Sequence, residues 1–267
     1  MPRVLSLLAI LFLITVPRLI GEQEFPSEQD RCQGKPPRSS CWMELSNQPG
    51  CYVWISHLIP DEARTWSGGC DGDVAQGPGY LKWFSGSGHM ILESFGRFEQ
   101  GKQHGNWFGF DSNGNAHEGP FVEGRRHGNW VFRGTDDNLS GGPFVEDRQH
   151  GQWVERLPDG SVHEGPRVHG KKHGHWVERW MDGRGVHEGP YVDSKRNGHW
   201  VEHWDDGSIQ EGPYVNGQHH GRWVLRFPDG QVQEGSFFEG KMHGRWIHRD
   251  EDGNQEAVTF NNGEQVG

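Results

Sequence analysis

The sequence predicts an all-β fold: an elongated, single-layer antiparallel β-meander of about seven two-stranded repeats behind a small, disulfide-stapled N-terminal cap. Three observations predict it. Trp107, Trp130, Trp153, Trp176, Trp200, Trp223 and Trp246 follow one another at 23, 23, 23, 24, 23 and 23 residues, each two residues after a Gly. A fixed period of this size marks a repeat architecture, in which each unit contacts only its neighbours. Only 32% of the 267 residues are hydrophobic while 41 are Gly, too little apolar material for the thick core of a compact domain this long. Thirteen Trp and fourteen Phe nevertheless separate the chain from disordered sequences, which are poor in aromatics.

One unit reads VHEGPRVHGKKHGHWVERWMDG, from Val162 to Gly183. It holds two extended segments of about seven residues and two turn signals, a normal strand length with short connections. Asp159-Gly160, Asp182-Gly183, Asp206-Gly207 and Asp229-Gly230 predict hairpin turns, because Gly accepts the positive φ that tight turns demand. The second turn lies around Gly170-Lys171-Lys172 and Gly217-Gln218-His219. No stretch shows helical periodicity, so neighbouring strands are expected to be antiparallel. The residue after each Trp is apolar and usually β-branched (Val131, Val154, Val177, Val201, Val224, Ile247), and the Trp points to the opposite face. Arg156 and Arg179 face the Glu column (Glu118, Glu164, Glu188, Glu211, Glu234) if the hairpin loop has three residues. A two-residue loop would invert the register.

At the N-terminus, Arg3 precedes the apolar run Val4–Val16, and Pro17-Arg18 ends it. The run is short for a membrane span and reads as a signal peptide, residues 1–21, with cleavage after Gly21. An uncleaved membrane anchor and a periplasmic destination are the alternatives to secretion. Cys32, Cys41, Cys51 and Cys70 fall within 39 residues and the 197 that follow contain none. Such clustering in an exported chain predicts two disulfides; three connectivities are possible, and we expect Cys51–Cys70 with Cys32–Cys41. Residues 22–75 therefore form the cap, 76–93 a degenerate first repeat and 94–263 the array. Loss of residues 1–21 removes Arg3 and Arg18 but no acid, leaving 24 basic against 37 acidic side chains, a balance of −13. That charge speaks against nucleic acid and against anionic membranes as partners.

The units HEGPYV and EGPYVNGQHHGRWVLRFPDGQVQEG (Glu211 to Gly235) resemble MORN repeats, with Trp where the second Gly of the usual Gly-x-Gly stands. In that substitution the chain is similar to divergent MORN-like repeats of bacterial antitoxin-type proteins. The segment from Gly50 to Trp83 resembles the Cys-containing stretch that often precedes MORN arrays. The resemblance covers about four-fifths of the chain. It implies a single-layer β-meander, with membrane-surface association as one family role.

The chemistry-bearing residues divide into scaffold and candidates. The His column (His104, His127, His150, His173, His220, His243) and a second set (His117, His163, His187) are expected to pack and cap turns. Same-column neighbours about 9.5–10 Å apart cannot share a metal. No metal, cofactor or catalytic residue is expected, because every acid and His of interest recurs with the repeat. Asn138-Leu139-Ser140 is a glycosylation sequon, relevant in a eukaryotic secretory pathway. The Trp ladder is the candidate interaction face, through Trp153, Trp176, Trp180, Trp200, Trp204 and Trp223. The competing expectation is that each repeat Trp covers the Gly-rich strand beside it. Trp180 and Trp204, present in two copies only, then mark a local functional patch. The function expected is a secreted, non-enzymatic scaffold for a protein partner; a polysaccharide or matrix ligand stacked on the Trp residues is the alternative.

Overall fold

The computed structural model describes residues 41–55, 61–180 and 185–266. The expected signal peptide and Cys32, with its expected bond to Cys41, lie outside the described residues. All regular structure among the described residues is strand. The fold is all-β, a long sheet that does not close, and the Cys51–Cys70 disulfide is formed.

The cap and the array share one strand. Trp42–Leu45 pairs antiparallel with Gln48–Trp54, which meets the eleven-residue strand Val74–Phe84 through the bridge Tyr52–Val74. The first half of that strand pairs with Gly69–Asp71, and its second half pairs with Ala63–Trp66 and then Met90–Glu99. Leu45, Cys51, Val53, Trp66, Ala75, Leu81, Phe98 and Trp107 form one buried cluster across this junction.

From Met90–Glu99 onward, each long strand pairs antiparallel with the long strands on either side of it in sequence. Gly151–Arg156 pairs along its length with Val162–Val168, whose first residues in turn pair with Gly174–Arg179. Between them, Lys171–Lys172 folds back on Arg167 and Val168. The hairpin loop has three residues: the Leu157 N–H donates to the Ser161 carbonyl at 2.8 Å, enclosing Pro158, Asp159 and Gly160. Gly160, Gly207 and Gly230 take φ of +85°, +85° and +89° there. Asp159, Asp206 and Asp229 close the same loops by accepting the backbone N–H two residues on, at 2.9, 2.7 and 3.0 Å. This loop length sets Glu164 opposite Val154, and ion pairs form. They run to the following copy: Arg179 binds Glu164, Arg226 binds Glu211 at 2.6 Å, and Arg133 approaches Glu118 at 3.9 Å.

With one layer of sheet, the core is a single file of rings. Each repeat Trp lies over the Gly of the preceding Gly-Pro strand: a Cβ added to Gly119, Gly142, Gly165, Gly189 or Gly212 would sit 2.3–2.6 Å from the indole. From Trp130 onward the indole N–H donates to the next carbonyl, Trp176 to Pro166 at 2.8 Å and Trp200 to Pro190 at 3.0 Å. The residue after that Pro closes the file edge-on. Phe121 meets Trp130 at 5.0 Å and 89°, Phe144 meets Trp153 at 5.4 Å and 79°, and Tyr191 meets Trp200 at 5.2 Å and 89°. Tyr214 meets Trp223 at 5.1 Å and 88°, and Phe237 meets Trp246 at 5.0 Å and 86°. Edge-to-face contacts of this kind are the preferred arrangement of aromatic quadrupoles. Where the aromatic is replaced by Arg167, its guanidinium lies 5.8 Å from Trp153 and 5.5 Å from Trp176.

Burial corrects one expectation. Trp153, Trp176, Trp200 and Trp223 are 0–1% exposed, so they cover the Gly strand and offer no surface to a partner. The reason is local: an indole whose face rests on bare backbone and whose edges meet further rings or, at Trp153 and Trp176, a ring and the Arg167 guanidinium, has no side left for solvent. The His column meets the Gly-Pro strand through its backbone. His127, His150, His173 and His220 donate their N–H to the Pro carbonyl at 2.9–3.0 Å, as Asn197 does in the copy that lacks His. Asn138 lies in a turn, its side-chain oxygen accepting the Gly134 N–H at 3.0 Å.

Candidate functional site

Side chains alternate along a strand, so the residues two and four positions after each Trp share its face. Two positions on, the three central copies carry Glu155, Glu178 and Glu202. Four positions on, at the entry to the hairpin loop, stand Leu157, Trp180, Trp204 and Phe227, whereas the outer copies have Asp111, Gly134 and Asp250. The middle of the array thus differs from its ends in two adjacent columns, one acidic and one apolar.

Glu178 and Glu202 of the acidic column are buried and paired. Arg196 donates to Glu178 at 3.1 Å and to Glu202, and its guanidinium lies 4.1 Å over Trp200. Lys172 donates to Glu178 at 3.0 Å while 4.1 Å over Trp176. Tyr191 donates to Glu178 at 2.9 Å and Tyr214 to Glu202 at 3.1 Å. Burial alone would raise the Glu178 carboxyl, but Lys172, Tyr191 and Arg196 outweigh it and hold the group below its ordinary value. Burial, aided by the nearby carboxylates, pushes the Tyr191 and Tyr214 hydroxyls up to about 12. Two acids meet two bases, so the cluster is internally neutral.

Beside it the apolar column opens a cleft of about 400 Å³ lined by Trp180, Gly185, His187, Arg196, His203, Trp204 and Asp205. His187 is the cross-strand neighbour of both Glu178 and Glu202, and its imidazole lies 4.3 Å from Trp180 and 4.5 Å from Trp204. The ring is buried, its Nδ1 has no hydrogen-bond partner, and Glu202 is 3.9 Å away. Burial lowers the His187 pKa more than Glu202 raises it, so the imidazole is neutral near pH 7. Trp180 and Trp204 are 37% and 42% exposed and form the walls. Two indole faces over an imidazole floor can stack on a planar or cationic group; nothing in the arrangement supplies a nucleophile with a base.

Of the six Trp expected on an interaction face, the structure brings Trp180 and Trp204 to one cleft and assigns the other four to the core. Sequence reading missed the network of Glu178, Glu202, Arg196, Tyr191 and Tyr214. Its trace is the Trp-Val-Glu triplet, which occurs in three copies, two of them followed by Arg-Trp or His-Trp. Among the described residues no group of three or more His, Cys, Asp or Glu is placed to hold a metal ion, and no helix is long and apolar enough to cross a membrane.

No protein-family model matches the chain, and no curated protein does. Among solved structures, it is similar to the TCP10 domain of Danio rerio CPAP in complex with a STIL peptide, at 12% identity over 77% of this chain and 98% of that one, TM-score 0.36. It is also similar to the Drosophila melanogaster SAS-4 TCP domain in complex with a proline-rich motif of Ana2, at 14% identity over 59% of this chain and 85% of that one, TM-score 0.34.

Proposed function

We propose that the protein is a secreted, non-enzymatic repeat scaffold that holds a protein partner on the Trp-bearing side of its sheet, anchored at Trp180 and Trp204. The observation that carries this reading is the contrast within one residue type. The seven repeat Trp are spent on the core at 0–5% exposure, whereas Trp180 and Trp204 stand 37% and 42% exposed in neighbouring copies. Large, partly exposed aromatics on a rigid element are the residues that dominate protein interfaces. The absence of enzymatic function is proposed because the acids and histidines are repeat residues engaged in pairing and turns. Secretion rests on the N-terminal apolar run and agrees with the Cys51–Cys70 bond.

Crosslinking pull-down from the native extracellular fraction, with the wild-type chain beside a Trp180→Ala, Trp204→Ala variant, tests the reading. A specific protein recovered by the wild type and lost with the variant is the expected result; equal recovery by both contradicts the anchor. A polysaccharide ligand is the second reading, favoured by Asp205 and His203 beside exposed indoles, where they could bond sugar hydroxyls. Its signature is quenching of Trp fluorescence by a neutral polymer. Membrane association, which the MORN resemblance implies, requires that anionic liposomes carry the mature chain on flotation despite its charge.

A further inference from the structure

We propose that the Trp180–His187–Trp204 cleft is a cation-binding clamp that takes an Arg or Lys side chain from a basic segment of the partner protein. This rests on the protein-scaffold reading and adds the chemistry of the contact. The array itself supplies the first argument. Trp130, Trp153, Trp176 and Trp200 each carry a cation of the chain at their ring: Arg126, Arg167, Lys172 and Arg196, at 5.9, 5.8, 4.1 and 4.1 Å. Among the described residues, no Lys or Arg occupies the rings of Trp180 or Trp204, the two indoles more than a third exposed. A cation within about 6 Å of an indole is attracted by the ring quadrupole, and Trp is the strongest acceptor of this kind.

The second argument is charge. Arg196, the one Lys or Arg among the described residues lining the cleft, is committed to Glu178, Glu202 and the face of Trp200, so it does not oppose an incoming cation with a free charge. At the rim, Asp205 is exposed and forms no salt bridge among the described residues. The floor is a neutral ring, closed on both sides by indoles, with an unpartnered Nδ1. The whole chain carries −11, which would steer a basic segment toward it. A proline ring would use the walls but not the rim acid, and a neutral sugar would use that acid only as a hydrogen-bond acceptor, so each leaves its charge uncompensated.

The test is titration of the mature protein with an octapeptide bearing three Arg in a Gly-Ser background, and with its twin in which citrulline replaces each Arg. Citrulline keeps the planar shape and removes the charge. Binding is read from the indole N–H resonances of Trp180 and Trp204, assigned from single Trp→Phe variants. The expected result is saturable shifts of those two resonances by the Arg peptide, at least tenfold weaker binding of the citrulline twin, and a several-fold loss in Asp205→Asn. That last variant leaves the aromatic walls intact and so guards against misfolding as the cause. Equal binding of the two peptides, no shift with either, or displacement of the Arg peptide by a neutral oligosaccharide would overturn the proposal. If the peptides fail while the pull-down still recovers a partner that the Trp180→Ala, Trp204→Ala variant loses, the scaffold reading stands and the clamp does not.

Discussion

At the scale of single residues, the account turns on which groups the Trp file excludes. Gly165 must lack a side chain because a Cβ would sit 2.4 Å from the Trp176 ring, whereas Gly170, at φ +84°, faces open space. Gly165→Ala is therefore expected to destabilise by about 3 kcal/mol through overpacking, and Gly170→Ala by about 1 kcal/mol through backbone strain alone; urea titration separates the two. Equal losses would mean that the indole does not rest on Gly165. Protons probe the same face. Burial lowers the pKa of His117, His187 and His219 in the fold, so both native and unfolded chains are uncharged there above about pH 6.5. As pH falls below that value the unfolded chain takes up protons that the native chain refuses, and stability drops. Glu178 works lower down: its depressed pKa gives a contribution present above the ordinary carboxylate range and lost as pH falls through the folded value. The urea midpoint should thus decline between pH 7 and 5.5, and a variant with Gln at 117, 187 and 219 should be flat across that window. Gln already stands at equivalent places, Gln210 and Gln149, so the substitution is compatible with the scaffold. An unchanged slope would refute the burial of these rings.

At the scale of strands and turns, the period and the turns were legible because they depend on local chemistry. Asp-Gly accepts the loop geometry whatever surrounds it, and an apolar residue after every repeat Trp announces a strand. The register was not legible, since it hangs on whether the loop holds two residues or three, a choice made by the Leu157–Ser161 and Trp204–Ser208 pairs. The buried network was hidden for a related reason. Glu178 and Glu202 look like ordinary surface acids until the register sets them beside His187 and under Arg196. The four core tryptophans were ambiguous for the same cause, because alternation tells which face a ring points to and not what covers it. The cap depends on a covalent element, Cys51–Cys70, with a sequence separation of 19. A loop of that size is worth about 3 kcal/mol by chain entropy. Cys51→Ala, Cys70→Ala should therefore speed hydrogen exchange in Gln48–Trp54 while leaving Gly221–Arg226, several copies away, unchanged. Uniform acceleration along the chain would show that the sheet unfolds as one cooperative unit.

At the scale of the molecule, a one-layer sheet with a single file of rings is stabilised copy by copy, each copy by its neighbours. Deleting residues 128–150, one 23-residue period, should rejoin His127 to Gly151 in phase and leave a folded protein shorter by about 9.5–10 Å, the span of two strands. Small-angle scattering reads that change. Function, on this account, resides where the copies differ, and the central claim is that seven Trp belong to the core while Trp180 and Trp204 belong to the surface. Hydroxyl-radical footprinting with mass spectrometry tests it most directly, since it scores every indole in one native sample. The account predicts rapid oxidation of Trp180 and Trp204 with protection of Trp153, Trp176, Trp200 and Trp223; comparable oxidation of all six would contradict it.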